Sequence, residues 1–181
     1  MQFALTKKVQ DYFEIQKLSD YKESKFFLND WVVNYTVYKR KRIFIFFNPQ
    51  TKFVVIVTGL VKVLLFHDFM ELLKKELLNA GLNKKHIENL PLMKDEFIFS
   101  KNTDRSASST ITKIISEIEY LHDIDVKLPS EINEKINCVL RKYGSNGEYR
   151  HPTEKLFDKL NVPPVFIKYE SMKRKINRIN F

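Results

Sequence analysis

The chain has 181 residues, a net charge of +9 and 44% hydrophobic residues. That length suits one domain, or one domain with a small appendage, and the apolar content is enough for a core. Four glycines and six prolines exclude long low-complexity linkers, and the single cysteine, Cys138, excludes an internal disulfide.

A reducing, cytoplasmic setting is therefore expected. The opening MQFALTKK has an apolar run too short for a secretion signal. The most apolar stretch, Phe53 to Phe66, is interrupted by Thr58, Gly59 and Lys62, whereas a membrane span needs about 20 apolar residues. No transmembrane helix is predicted.

Gln2 to Leu5 reads as a short strand. A helix from about Lys7 to Lys17 follows, with Thr6 as its N-cap and Val9, Tyr12, Phe13 and Gln16 on one face. Ser19 to Lys25 reads as a loop. From Trp31 the residues are aromatic and β-branched, with Trp31, Val33, Tyr35 and Val37 sharing one side. Lys39, Arg40, Lys41 and Arg42 form a hairpin tip, although the Asn-Gly or Asp-Gly of a tight primed turn is missing. Ile43 to Phe47 is apolar on both faces, which predicts a central strand covered by helices. Asn48 and Pro49 close it, and Phe53 to Thr58 returns before a bend at Gly59.

Asp68 and Glu71 are spaced as a capping box, and the helix they open should stop at Gly81. Its apolar period places every member of Phe69, Leu72, Leu73, Glu76 and Leu77 toward the sheet except Glu76. A shorter helix runs from Asn83 to Asn89, and Glu96 to Ser100 is a further strand. The polar loop Asn102 to Ser109 should cap a helix whose stripe is Ile111, Ile114, Ile115, Ile118 and Leu121. Another helix starts at Pro129, points Ile132, Ile136, Val139 and Leu140 inward, and stops at Gly144. An exposed loop, a short amphipathic helix ending before Pro163 and Pro164, and a basic tail complete the chain. Strands first and helices later predict an α+β fold. Its antiparallel sheet should have about four to five strands packed by helices, with a helical C-terminal third. The natural division is residues 1–125 as the core domain and 126–181 as an extension packed on it.

Charge is unevenly placed. The tip Lys39–Arg42 and the segment from Lys168 to Phe181, with Lys168, Lys173, Arg174, Lys175 and Arg178 against Glu170, hold nine basic residues and one acidic residue. Setting them aside leaves 22 basic and 21 acidic residues. A nearly neutral body with two cationic segments favours an anionic partner, although turn tips and tails also collect lysine for solubility alone.

Catalytic signatures are sparse. There is no glycine-rich phosphate loop, no nucleophile elbow and no HExxH. The pairs His67-Asp68 and His122-Asp123 would suit a metal phosphohydrolase, but the further ligands such a site needs cannot be assembled. Cys138 reads as a small buried thiol. No metal or cofactor is expected. Asp104, Arg105 and Ser106 could hold a phosphate or carboxylate at a helix start, or could simply cap the helix and fix the loop. Tyr35 and Tyr38 beside the basic tip, and Tyr149, Arg150, His151, Phe166 and Tyr169 beside the tail, could stack bases or pack under helices.

The elements ALTKK (Thr6 to Lys8), LNDW (Leu28 to Trp31), the hairpin IFIFFNPQTKFVVIV and NTDRS (Asn102 to Ser106) together resemble a family of small bacterial and phage proteins classed as a domain of unknown function, over about residues 1–120. The resemblance implies no activity. It does imply that Lys7, Asp30, Trp31, Arg105 and Ser106 meet in space around one sheet.

The leading expectation is a non-enzymatic binding protein that meets nucleic acid or a nucleoprotein through phosphate contacts from Lys39, Arg40, Lys41 and Arg42 and from Lys173, Arg174, Lys175 and Arg178. The alternative is a small protein-binding inhibitor or antitoxin-like regulator of phage or mobile-element origin that grips an acidic partner. A hydrolase built on Lys7, Asp30, Arg105 and Ser106 is a third reading.

Overall fold

The computed structural model describes residues 1–58, 65–93, 96–123, 129–144 and 147–163, without the side chains of His67, His122 and Asp123. Five strands form one sheet: β1 (Gln2–Leu5), β2 (Asp30–Tyr38), β3 (Lys41–Phe47), β4 (Val54–Thr58) and β5 (Ile98–Lys101), in the order β4-β3-β2-β1-β5. A separate pair comprises β6 (Arg141–Tyr143) and β7 (Glu148–Arg150). The described helices are α1 (Lys7–Phe13), α2 (Leu65–Asn79), α3 (Lys84–Glu88), α4 (Arg105–Asp123), α5 (Pro129–Asn137) and α6 (Pro152–Leu160).

The fold is α+β, but the sheet is mixed. β2, β3 and β4 form the expected antiparallel meander, with Tyr35 opposite Phe44 and Ile45 opposite Ile56. β1 runs parallel to both β2 and β5. A parallel neighbour needs a crossover, and α1 with the segment behind it supplies the one from β1 to β2.

Apolar residues on both faces of the meander explain the two-sided core. Phe3, Trp31, Phe44, Phe46 and Val55 pack with α2 in one cluster. Ala4, Val32, Ile45, Phe47, Val54 and Ile56 pack with α4 and α5 in the other. Aromatic rings crowd the first cluster. Phe3 lies 4.9 Å from Phe66 and 5.5 Å from Phe69, which stacks on Phe46 at 4.2 Å. Each such pair is worth ~0.5–1.5 kcal/mol beyond the area it buries.

Helix ends depart from expectation where the stop signal is unusual. α2 ends as predicted. Gly81 has φ 108°, its N–H donates to Leu78 O and the Leu82 N–H donates to Leu77 O, which is a Schellman stop. α1 ends in the same way four residues earlier than expected. Glu14 takes φ 59°, its N–H donates to Asp11 O and Ile15 N–H donates to Gln10 O. A glutamate in the left-handed region gives no sequence signal, because glycine is the usual residue there. Thr6 precedes α1, but its hydroxyl donates to Asn34 Oδ1 at 3.0 Å instead of serving as a side-chain acceptor for the helix.

The C-terminal third is only partly helical. α5 stops at Asn137, and within the stretch expected to continue it to Gly144, Arg141–Tyr143 form β6. Val139 and Leu140, expected inward, are exposed. Glu76, expected outward, is buried. The bend at Gly59 and the tail carrying Lys173, Arg174, Lys175 and Arg178 lie outside the described residues.

α5 closes the β4 edge. Asn133 Oδ1 accepts from Ile56 N at 2.6 Å and its Nδ2 donates to Ile56 O at 3.3 Å. Asn137 repeats the pattern on Val54, at 2.8 Å in both directions. Two amides one helical turn apart thus stand in for a neighbouring strand, satisfying groups that a buried edge cannot leave unpaired. At the β5 edge, Ser19 forms a parallel bridge to Ser100 through Ser19 N–H to Phe99 O at 2.8 Å.

No described helix is long and apolar enough to cross a membrane.

Candidate anion-binding surface

The β2–β3 turn has two residues, Lys39 and Arg40, with φ values of 46° and 66°. Positive φ at both positions is the mark of the primed turn whose twist suits a hairpin. Side chains with a Cβ are disfavoured there by roughly 1–2 kcal/mol each, and Asn and Gly usually occupy it. The hairpin expected without Asn-Gly therefore forms anyway, with a lysine and an arginine in strained conformations.

Behind the tip, cations lie on tyrosines. Lys8 Nζ is 4.3 Å from the Tyr35 ring centroid and donates to Tyr35 O at 3.2 Å. The Arg42 guanidinium lies 4.5 Å from the Tyr12 ring, and Lys39 Nζ lies 4.9 Å from the Tyr38 ring. Tyr12 and Tyr35 are themselves 5.5 Å apart, so Lys8 and Arg42 belong to one cluster built from α1, β2 and β3. Lys8, Lys39, Arg40, Lys41 and Arg42 are all exposed. Each ring is half-buried, with a cation of the chain over it. The tyrosines thus orient cations and do not form an open stacking platform.

Lys8 and Tyr12 were not singled out as partners in the sequence, yet the signal is present. They are four apart on α1, the spacing that places two side chains on one helix face. Arg42 joins them because the ladder sets it opposite Val37, one diagonal step from Tyr35.

The five polar-cluster residues have different surroundings. Lys7 is exposed and pairs with Asp11 at 2.6 Å. Asp30 is buried and accepts from Ser24 N at 2.9 Å and Ser24 Oγ at 2.7 Å, so its carboxylate anchors the 19–25 segment. Burial raises its pKa, and the Ser24 hydrogen bonds oppose that shift. Trp31 is buried against Phe69, with its indole N–H donating to Leu28 O at 2.7 Å. Arg105 and Ser106 are exposed at the start of α4. There Asp104 Oδ1 accepts from Ala107 N at 3.0 Å, which is the capping role expected of it. Lys7, Asp30 and Trp31 each have a structural partner, and Arg105 and Ser106 follow the Asp104 cap.

Trp31 and the Asn102–Asp104 loop do line one cleft of about 130 Å³, with Pro49 and Tyr21. Burial lifts the Tyr21 hydroxyl to about 12, and the carboxylates of Asp30, Glu23 and Asp104 add to the effect. Cys138 is buried, which raises its thiol to about 11 and leaves it a poor nucleophile. Among the described residues no group of three or more His, Cys, Asp or Glu side chains could hold a metal ion.

The last described residues lie away from the tip. Lys159 Nζ donates to Gln50 Oε1 at 2.5 Å, and Gln50 belongs to the β3–β4 turn, at the other end of β3 from Lys41.

One family model, described as a domain of unknown function (DUF6933), matches residues 2–164. The match runs beyond the 120 or so residues of the sequence resemblance and takes in β6, β7 and α6. The chain matches no curated protein.

Proposed function

The chain belongs to this family, a domain of unknown function (DUF6933), so membership brings no activity with it, and we propose from the geometry that the protein binds the phosphate backbone of nucleic acid through the β2–β3 hairpin. The observation that carries the reading is the Lys39–Arg40 turn. Two cationic residues occupy positions where Asn-Gly would relieve strain, and strain kept at a surface turn points to a role for the side chains themselves. Lys8 and Arg42, oriented by tyrosines, extend the cationic surface along the hairpin.

Because the nearby rings are covered by the chain's own cations, base stacking is not the main contact. The cations meet phosphates, so binding is indifferent to sequence and sensitive to salt. The basic segment holding Lys173, Arg174, Lys175 and Arg178 adds phosphate contacts of the same kind.

Fluorescence titration with labelled single- and double-stranded oligonucleotides tests this. With about four phosphates neutralised, affinity should fall about hundredfold between roughly 50 and 200 mM salt. Arg40→Glu with Lys41→Glu should weaken binding to all sequences equally. Absence of binding at the lower salt, or binding that survives the double charge reversal, overturns the proposal.

A further inference from the structure

At the end of the sheet away from the hairpin, two lysines from separate elements face Tyr143. Lys52, in the β3–β4 turn, places its Nζ 4.9 Å from the Tyr143 ring centroid and donates to Lys142 O. Lys155, from α6, lies 5.9 Å from the same ring. Arg141 and Lys113, the latter from α4, are close enough that their charges, after burial, lower the pKa of Lys52. The Tyr143 hydroxyl donates to Thr51 O, tying β6 to the turn that holds Lys52.

Carboxylates near this cluster are already engaged. Glu117 grips Arg141 with both oxygens, one of them 2.6 Å from Nη1. Glu154 accepts from the His151 N–H at 3.1 Å at the start of α6. Asp104 acts on Lys52 as the weakest of its electrostatic influences and caps α4. Among the described residues no carboxylate forms an ion pair with Lys52, Lys113 or Lys155. Lys52 is moreover held at φ 56°, a conformation that favours glycine or asparagine. A half-buried lysine is thus fixed at some conformational cost, among like charges and facing an aromatic ring.

We infer that Lys52 and Lys155, gathered at Tyr143, form a second binding site, separate from the hairpin, for a compact multiply charged anion such as the di- or triphosphate group of a small molecule. Shape distinguishes it from the nucleic-acid surface. A nucleic-acid strand spreads one charge per roughly 3.4 Å along its axis and meets a stripe of cations. Here the ammonium groups come from a turn and a helix and lie 4.9 and 5.9 Å from one ring centroid. A point of convergence matches an anion whose charges are gathered on a few neighbouring oxygens.

The test is calorimetric titration of the full chain with inorganic pyrophosphate, orthophosphate and sulfate at matched ionic strength. Pyrophosphate should bind saturably, one per chain, at least tenfold more tightly than sulfate. Lys155→Gln should weaken it several-fold, and Lys52→Gln more. NMR titration of the Lys52 side chain should show its depressed pKa rising when pyrophosphate is added. The Arg40→Glu, Lys41→Glu variant should retain pyrophosphate binding while losing oligonucleotide binding, which separates the two sites. Equal affinity for sulfate, insensitivity to Lys155→Gln, an unmoved Lys52 titration, or loss of pyrophosphate binding in the hairpin variant would each overturn the inference.

Discussion

Asn133 and Asn137 are the residues on which the β4 edge depends. Each amide meets one N–H and one C=O of a buried strand, and no other side-chain type offers both groups at that reach. Asn137→Ala should orphan two buried backbone groups of Val54. At about 1–3 kcal/mol per unsatisfied group, the loss is at least ~2 kcal/mol, readable as a lower urea midpoint. Beside them sits Glu76, whose carboxyl pKa is raised by burial, against hydrogen bonds from Asn79 and Asn133 that lower it. A carboxyl with a raised folded pKa binds its proton more tightly in the native state. Its cost is absent below its ordinary value of 4.5 and grows as pH rises through the folded value. Glu76→Gln should therefore be more stable than the parent near neutral pH, with the advantage vanishing in acid. Chemical denaturation at the two pH values measures the difference.

Among the elements, the β2–β3 hairpin couples stability to the proposed function most directly. Lys39→Asn with Arg40→Gly relieves two positive-φ positions and should stabilise the fold by about 1–2 kcal/mol in total. The same change removes two cations, so the oligonucleotide titration should weaken as the melting temperature rises. Opposite movement of the two quantities is the expected signature of a turn retained for its charge. Among the described residues, helices that end in left-handed residues at Glu14, Gly81 and Asn161 use one stop geometry with three residue types. Only the glycine announced itself in the sequence.

For the whole molecule, the two-sided sheet decides what can be removed. α5 supplies Ile132 and Ile136 to one core cluster, and α6 supplies Leu156 and Phe157 to the other. A chain ended at residue 125 would uncover the β4 edge and apolar surface on both faces. It should fail to unfold cooperatively and should self-associate, as judged by calorimetry and sedimentation, whereas the full chain gives one transition.

Local patterns were legible wherever one residue type has one structural use. Runs of alternating β-branched and aromatic residues marked the meander, double-sided apolarity in Ile43–Phe47 announced helices on both faces, and Asp104 and Gly81 marked a helix start and a helix stop. The hairpin cations were proposed as contacts from charge placement alone. Tertiary structure alone decided the parallel pairing of β1, the assembly of Lys8 and Tyr12 with Arg42, the edge seal by Asn133 and Asn137, and the convergence of lysines on Tyr143. Each of those depends on which distant segments the folded chain brings side by side. Strand direction and side-chain partnership between remote elements leave no period in the sequence, because they are set by the packing of the whole core.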